Sequence, residues 1–438
     1  MRRILIVSPH FPPVSLPDMQ RVRMSLPYFE QFGWHPTVLA VEPDPDAVLD
    51  PLLPETVPAG TDVRWVRPLS KAVSRRFGVG NPALRAWHRL YAEGARLLKD
   101  GQVDLAYFST TMFMSMPLGR IWKRRFGTPF VLDMQDPWLS DYYETHPDAQ
   151  APPKYGLARR VHATLEPWTM QAADGLIAVS PSYIDVLQGR YPRLRAVPCL
   201  TLPFAATPAD FALLDQHPQP NRQFAHGDGA LHGVYAGRGG DDLSTALDIT
   251  FRALRLGLAA RPDLFERVRL HFLGTDYSTG GRARKTVEPV AASAGVGAYV
   301  REVTSRLPYF EALQTLRDAD FLLVTGSDDA AYTASKVYPY VLARKPLLAV
   351  VHERSTVVDV VREVGAGHVV TFPSGSGDAE RALAATALAE VWTRVLEGGA
   401  AEPATDWRRF ERFTAVEMTR QQCALFDRVV GAQRRSAA

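Results

Sequence analysis

Cysteine is scarce: Cys199 and Cys423 are the only two in 438 residues. They lie too far apart for a metal-ligand spacing and are too few for a disulfide framework, so they read as incidental thiols of a reducing compartment. No apolar run approaches the roughly 18 residues of a membrane span. The opening MRRILIVSPHF begins with charge, but only Ile4 to Val7 are continuously apolar; that is a strand rather than a secretory leader. Repeats of solenoid period are absent. The net charge is only +3, and no nucleic-acid recognition motif accompanies it, so nucleic acid is not an expected partner.

What is present is an ordinary globular composition, 46% hydrophobic and 22% charged, on a chain long enough for two or three domains. Arg3 to Ser8 is a short apolar run, Ser8 to Arg23 a Pro-rich loop, Gln20 to Gly33 a helical pattern, and His35 to Val41 a second strand. This is a βαβ unit of a parallel sheet. Strands are expected again at 63–66, 105–108, 130–134 and 174–180. A segment rich in Pro, His, Asp and Gly from Pro198 to Ala230 reads as linker. A second sheet is expected from Leu231 to Ala236, with later strands at 269–274, 300–302, 321–325, 347–351 and 368–372, and helices over 378–397 and 407–430. The fold class is α/β.

Charge is uneven along the chain. Between Arg64 and Arg125 basic residues outnumber acidic ones by about ten. Trp65, Phe77, Trp87, Tyr91 and Trp122 are interleaved with them. Such a stretch either lies on an anionic bilayer or is a solvated face with core aromatics.

In parallel α/β sheets ligands bind beyond the carboxyl ends of the strands, which selects the candidates. After the first strand come His10, able to hydrogen-bond a ligand or take a proton, and Arg21 and Arg23. Asp133 and Asp136 close the strand VLDMQDPW, where a carboxylate can accept from hydroxyls or serve as a base; the alternative for Asp136 is a cap of the Asp-Pro turn. GRGG follows Leu231 to Ala236, a strand–glycine–helix order that favours phosphate. The stretch from Thr325 to Val351, TGSDDAAYTASKVYPYVLARKPLLAVV, reads as turn, helix, Lys-Pro stop and buried strand. Gly326, Ser327 and Asp328 then lie at a strand's carboxyl end. A helix starting near Ala334 to Lys336 would be capped by Ser335 and would aim its free N–H groups at a ligand. Lys336 opposes the helix dipole there, which an anionic ligand would explain.

These residues resemble glycosyltransferase family 4 and its GT-B-fold relatives. Ser335, Lys336, Tyr340, Pro346 and the strand Leu347 to Val351 match the family's donor-binding segment; Gly237 and Arg238 match its Gly-Arg turn; Asp133 and Asp136-Pro137-Trp138 match its Asp-Pro-Trp strand end. Pro339 stands where the family has a ribose-contacting Glu. Ser15, Leu16, Pro17 and Asp18 stand where it has paired glycines, and Asp241 and Asp242 lie near the place of a second Lys. The resemblance implies a GT-B architecture, two Rossmann-like domains facing across a cleft: residues 1–205 for the acceptor, a linker over 206–230, residues 231–405 for the nucleotide sugar, and a last helix, 406–438, crossing back. It implies a retaining, metal-independent, hexosyltransferase-like enzyme that moves a sugar from a nucleoside diphosphate sugar to a glycan or lipid-linked glycan. No cofactor is implied. The setting it implies is cell-surface polysaccharide synthesis, in the cytoplasm or peripherally on the inner face of the membrane. The catalytic residues would be Asp136, Arg238 and Lys336; the donor would contact Gly237, Gly239, Gly274, Ser327, Asp328, Ser335 and Tyr338; the acceptor would contact His10, Arg21 and Asp133. The competing expectation is a non-catalytic GT-B scaffold, favoured by Pro339 and the missing glycine pair. Epimerase and phosphorylase readings lack the acid–base groups and the pyridoxal lysine context they need.

Overall fold

The computed structural model describes residues 1–76, 79–139, 155–225, 227–276, 283–329 and 335–437. Phe77 and residues 140–154 lie outside them. The chain forms two compact units: Met1–Ala205 together with Ala415–Ala438, and Ala206–Thr414.

The first unit holds β1 (Arg2–Val7), β2 (Trp34–Val41), β3 (Asp62–Val66), β4 (Leu105–Ser109), β5 (Phe130–Met134), β6 (Gly175–Ala178) and β7 (Cys199–Thr201). They form one parallel sheet in the order β3-β2-β1-β4-β5-β6-β7. A parallel sheet covered on both faces needs strands that are apolar at every position, and Ile4, Leu5, Ile6 and Val7 are each at most 1% exposed. The alternation of the strand sends Leu5 and Val7 into one core with Leu90, Trp122 and Phe130. Ile4 and Ile6 face the other core, with Met418, Leu425, Phe426 and Val429. Those four residues lie on the final helix, Ala415–Ala437, so this helix completes the first unit.

The second unit holds β8 (Leu231–Ala236), β9 (Val268–Leu273), β10 (Val300–Val303), β11 (Phe321–Thr325), β12 (Leu347–His352) and β13 (Gly367–Phe372). They are parallel throughout, in the order β10-β9-β8-β11-β12-β13.

Three expectations change. The helix expected over 20–33 ends at Ser25 and continues as short 3₁₀ turns, because Pro27 has no N–H to extend the ladder. The helix expected over 407–430 breaks at Thr414, which is extended (ψ 161°); the last helix begins at Ala415 rather than 406. The expected linker contains β7 and a helix, Pro208–Gln216. That helix docks within the second unit, where Tyr309 Oη donates to Asp210 at 2.7 Å.

The basic run also reads differently in three dimensions. Arg64 pairs with Asp62, Lys71 with Asp46, buried Arg85 with Asp44, and Lys123 with Asp174. Trp122 is fully buried in the core. Carboxylates from elsewhere in the chain neutralise much of the excess, while Trp65 and Leu69 stay exposed.

Candidate functional site

In the second unit the sheet order reverses direction between β8 and β11, and turns leaving such a switch point diverge to form a crevice. The residues after these two strands are Gly237–Gly240 and Gly326–Asp329. Tyr235, buried on β8, organises the first turn: its hydroxyl donates to the Arg238 carbonyl at 2.7 Å and accepts from Lys336 Nζ at 2.5 Å. The ammonium lies 4.1 Å from the Tyr235 ring centroid, a cation–π contact. Burial pushes the Tyr235 phenol up to about 12, so the ring acts as a neutral donor. Gly237 makes room for the lysine, since a Cβ there would lie 2.2 Å from Lys336 Nζ. Tyr340 accepts from the Ala236 N–H at 2.6 Å and donates to the Ala236 carbonyl at 3.1 Å. It thereby bolts the Lys336 segment to the end of β8.

Arg238 makes a bidentate pair with Asp242, at 2.8 and 2.6 Å. Ser327 Oγ donates to the same carboxylate at 2.6 Å, and the Asp328 N–H donates to the Asp242 carbonyl at 2.7 Å. Burial works to raise the Asp242 carboxyl, but the Arg238 hydrogen bonds and charge prevail and hold it below its usual value. Asp328 is raised by burial, with a smaller push from the Asp242 charge. Lys336, Tyr235, Arg238, Asp242, Ser327 and Asp328 thus form one continuous polar chain across the switch point.

Several expected donor contacts are corrected here. The glycine N–H groups do not cradle a ligand: Gly237 donates to Leu273 O, Gly239 to Thr275 O and Gly240 to Thr286 Oγ1, at 2.9, 2.7 and 3.1 Å. Gly274, at φ +72°, donates to Val303 O and serves to turn the chain. The helix after Lys336 runs only from Val337 to Leu342, with Lys336 at its N-cap and no side-chain cap, so Ser335 does not cap it and no long dipole points at a ligand. Tyr338 is buried against Phe413, ring centroids 5.8 Å apart, and is a packing residue. Side chains, rather than amides, supply the positive charge.

In the first unit the order reverses between β1 and β4, and a second network sits there. His10 Nδ1 lies 3.0 Å from Asp18 Oδ1, and the buried Asp18 carboxylate also accepts from Thr110 Oγ1 at 3.0 Å. Burial opposes ionisation of Asp18, yet the His10 and Thr110 bonds hold it below its usual value. The carboxylate therefore orients the imidazole through Nδ1. Arg21 and Asp133 are not open to a ligand: both side chains are 0% exposed and pair at 2.7 Å. Arg21 also donates to the carbonyls of Leu202 and Pro203, and Asp133 accepts from Tyr107 and Ser109. Their expected acceptor role is replaced by a structural one. Asp136 is exposed just beyond β5. Trp138 Nε1 donates to His162 Nδ1 and its ring stacks on Phe113, which anchors the chain after Asp136. Among the described residues no group of three His, Cys, Asp or Glu is placed to hold a metal ion, and no helix is long and apolar enough to cross a membrane.

The glycosyl transferase 4-like domain profile matches residues 20–204. That segment is similar to glycosyl transferase 4-like domains, and the two-sheet chain has the GT-B fold. By sequence the chain matches none of the curated proteins. Among solved structures it resembles HepE from Anabaena in complex with UDP-glucose, with a TM-score of 0.57, 15% identity, and 97% of this chain and 98% of that one covered. It also resembles a UDP-forming α,α-trehalose-phosphate synthase from Burkholderia vietnamiensis, with a TM-score of 0.55, 14% identity and coverage of 99% and 100%. A third likeness is to WaaG, a glycosyltransferase involved in lipopolysaccharide biosynthesis, with a TM-score of 0.50, 16% identity and 98% of each chain covered.

In the first unit, sequence reasoning named His10 but missed its partner Asp18, although Asp18 stands where the resembled family has glycine. Gln135 was missed as well; its side-chain amide donates to the Asp18 carbonyl and to Ser109 Oγ, both at 3.0 Å. In the second unit Tyr235, Thr286 and Glu302 carried no motif and were invisible as site residues.

Proposed function

We propose that this GT-B protein transfers a sugar from a UDP-sugar to an acceptor hydroxyl. The observation that carries the proposal is the Lys336–Tyr235–Arg238 chain at the switch point of the second unit, which sets an ammonium and a guanidinium around one turn. The UDP-glucose complex and the UDP-forming synthases among its structural relatives support a uridine donor. When the bond from the anomeric carbon to the phosphate oxygen breaks, negative charge grows on the departing diphosphate, and Arg238 and Lys336 stabilise it. The new bond joins the anomeric carbon to the acceptor oxygen, and the hydroxyl proton leaves with the diphosphate. In the first unit Asp136 orients the acceptor hydroxyl, and the His10 imidazole hydrogen-bonds it. Retention of configuration, independence from metal, a glycan or lipid-linked acceptor of surface polysaccharide synthesis, and peripheral contact with anionic membrane through the Trp65 and Leu69 region complete the proposal.

The scaffold reading keeps one observation in its favour: Pro339 lies inside the helix after Lys336 and brings neither carboxylate nor N–H. Calorimetry separates the two readings. Binding of UDP in preference to GDP supports the transferase, and absence of nucleotide binding supports the scaffold. The anomeric configuration of the product, read by NMR, tests retention.

A further inference from the structure

The turn that carries Arg238 is held from behind by a carboxylate that no motif announced. Glu302 lies on β10 and is 3% exposed. Its Oε1 accepts from Thr275 Oγ1 at 2.7 Å and from the Thr286 N–H at 3.1 Å. Its Oε2 accepts from the Val287 and Glu288 N–H groups, each at 2.9 Å. The Glu302 N–H in turn donates to Glu288 Oε1 at 2.9 Å. The two oxygens of one side chain thus collect a hydroxyl and three backbone amides.

The two threonines gathered by Glu302 are the ones that fix the turn after Arg238. Thr275 O accepts the Gly239 N–H and Thr286 Oγ1 accepts the Gly240 N–H. The fit is close: a Cβ on Gly239 would lie 2.5 Å from Thr286 Oγ1, and Gly240 sits at φ +140°, a conformation that side chains other than glycine rarely adopt. Two successive peptides downstream of Arg238 are therefore clamped to Glu302 through one intermediate residue each. Gly237, on the other side of Arg238, is clamped to Leu273 on β9.

We propose that Glu302 is a positioning residue for anion binding: it fixes the turn that presents the Arg238 guanidinium to a diphosphate, without touching the ligand. The inference rests on the donor reading above. Affinity then depends on a carboxylate on a different strand, because an arginine on a loose turn must pay ordering entropy on binding.

The test compares Glu302→Gln, Thr286→Val and Thr286→Ser in the full chain. Glutamine sets an NH₂ donor against the amides, valine removes the acceptor for Gly240, and serine keeps it. Hydrogen exchange of the 237–242 segment is read without ligand, and affinity for UDP and for inorganic pyrophosphate is read by calorimetry. The expected result is faster exchange and about tenfold weaker binding for Glu302→Gln and Thr286→Val, with Thr286→Ser close to wild type. The donor KM rises while kcat moves less. Lower melting temperature with unchanged exchange and unchanged affinity reduces Glu302 to a merely structural role and overturns the proposal. Should Glu302→Gln fail to fold, the Thr286 pair decides alone. Pyrophosphate binding without UDP binding by the wild type removes the uridine-donor reading and leaves the pyrophosphate series to judge Glu302. Wild-type protein that binds neither overturns both.

Discussion

Arg21–Asp133 and Arg238–Asp242 are both arginine–carboxylate pairs at the carboxyl edge of a parallel sheet, 2.7 and 2.6 Å long. They differ in solvent. The first pair is 0% exposed on both sides; the second is 29% and 38% exposed. A sealed pair cannot be released cheaply, because each partner would be left as a buried charge. A half-exposed pair contributes at most about 1 kcal/mol, so a diphosphate can take the guanidinium from Asp242 at small cost. The same chemistry is thus a fixed joint in one unit and an exchangeable contact in the other. Residue type alone does not say which arginine can meet a ligand.

The contrast can be broken by mutation. Arg21→Ala leaves the buried Asp133 without its cation, and one of its oxygens, Oδ1, has no partner among the described residues. The expected loss is about 3–5 kcal/mol in urea denaturation, whereas Asp242→Ala should cost less than about 1 kcal/mol in the same assay. Similar losses for the two variants would erase the distinction.

A second test uses acid. His271 is buried beside His232, their ring nitrogens 3.0 Å apart. Burial, helped by the His232 charge, pushes its pKa down to about 4. A base whose folded pKa lies below its unfolded value of 6.5 is protonated more readily in the unfolded chain. Stability is therefore complete above pH 6.5 and is lost as pH falls from 6.5 towards 4, by on the order of 3 kcal/mol. Asp18 behaves differently: its lowered carboxyl pKa contributes stability that is lost only as pH falls below its ordinary value of 3.8. Denaturant midpoints at pH 7 and 4.5 should separate for wild type and converge for His271→Asn. A gap that persists in the variant would locate the acid sensitivity elsewhere.

The third test asks about chemistry. Lys336→Ala should lower transfer by on the order of 100-fold with the circular dichroism spectrum unchanged; wild-type turnover would remove the lysine from the reaction. The smallest effect is expected for Gly237→Ala. Its Cβ would clash with the tip of Lys336, which can move aside, and touch the Tyr235 hydroxyl at 3.4 Å, so UDP affinity should fall by about tenfold at constant thermal stability. Unaltered affinity would mean that the ammonium's seat on Tyr235 is immaterial.

The fold was readable because parallel strands buried on both faces must be apolar at every position, as Ile4–Val7 and Phe321–Val324 are. The short helix Pro208–Gln216 was hidden by the linker-like composition around it, although a proline at its first position is a start signal. In the site, Arg238 was legible as a charge beside glycine and Lys336 as a charge opposing a helix dipole; Lys336 Nζ and the Arg238 carbonyl meet at the Tyr235 hydroxyl. The mistake concerned the amides. Sequence shows that a glycine permits close approach but not what approaches, and here it is Lys336 at Gly237 and Thr286 at Gly239. Arg21 and Asp133 were misread for a related reason: a strand-end position does not reveal burial, and only the tertiary fold brings Leu202, Pro203 and Tyr107 around them.

The closing helix has a consequence for biosynthesis. Met418, Leu425, Phe426 and Val429 belong to a core shared with residues from Ile4 to Ala205, so on the ribosome the first unit cannot finish its hydrophobic packing until the helix Ala415–Ala437 has been made. The intervening unit, an uninterrupted run from Ala206 to Thr414, emerges whole before that. The second unit can therefore complete its packing before the first, and the nascent chain holds an uncovered apolar sheet face until that helix emerges.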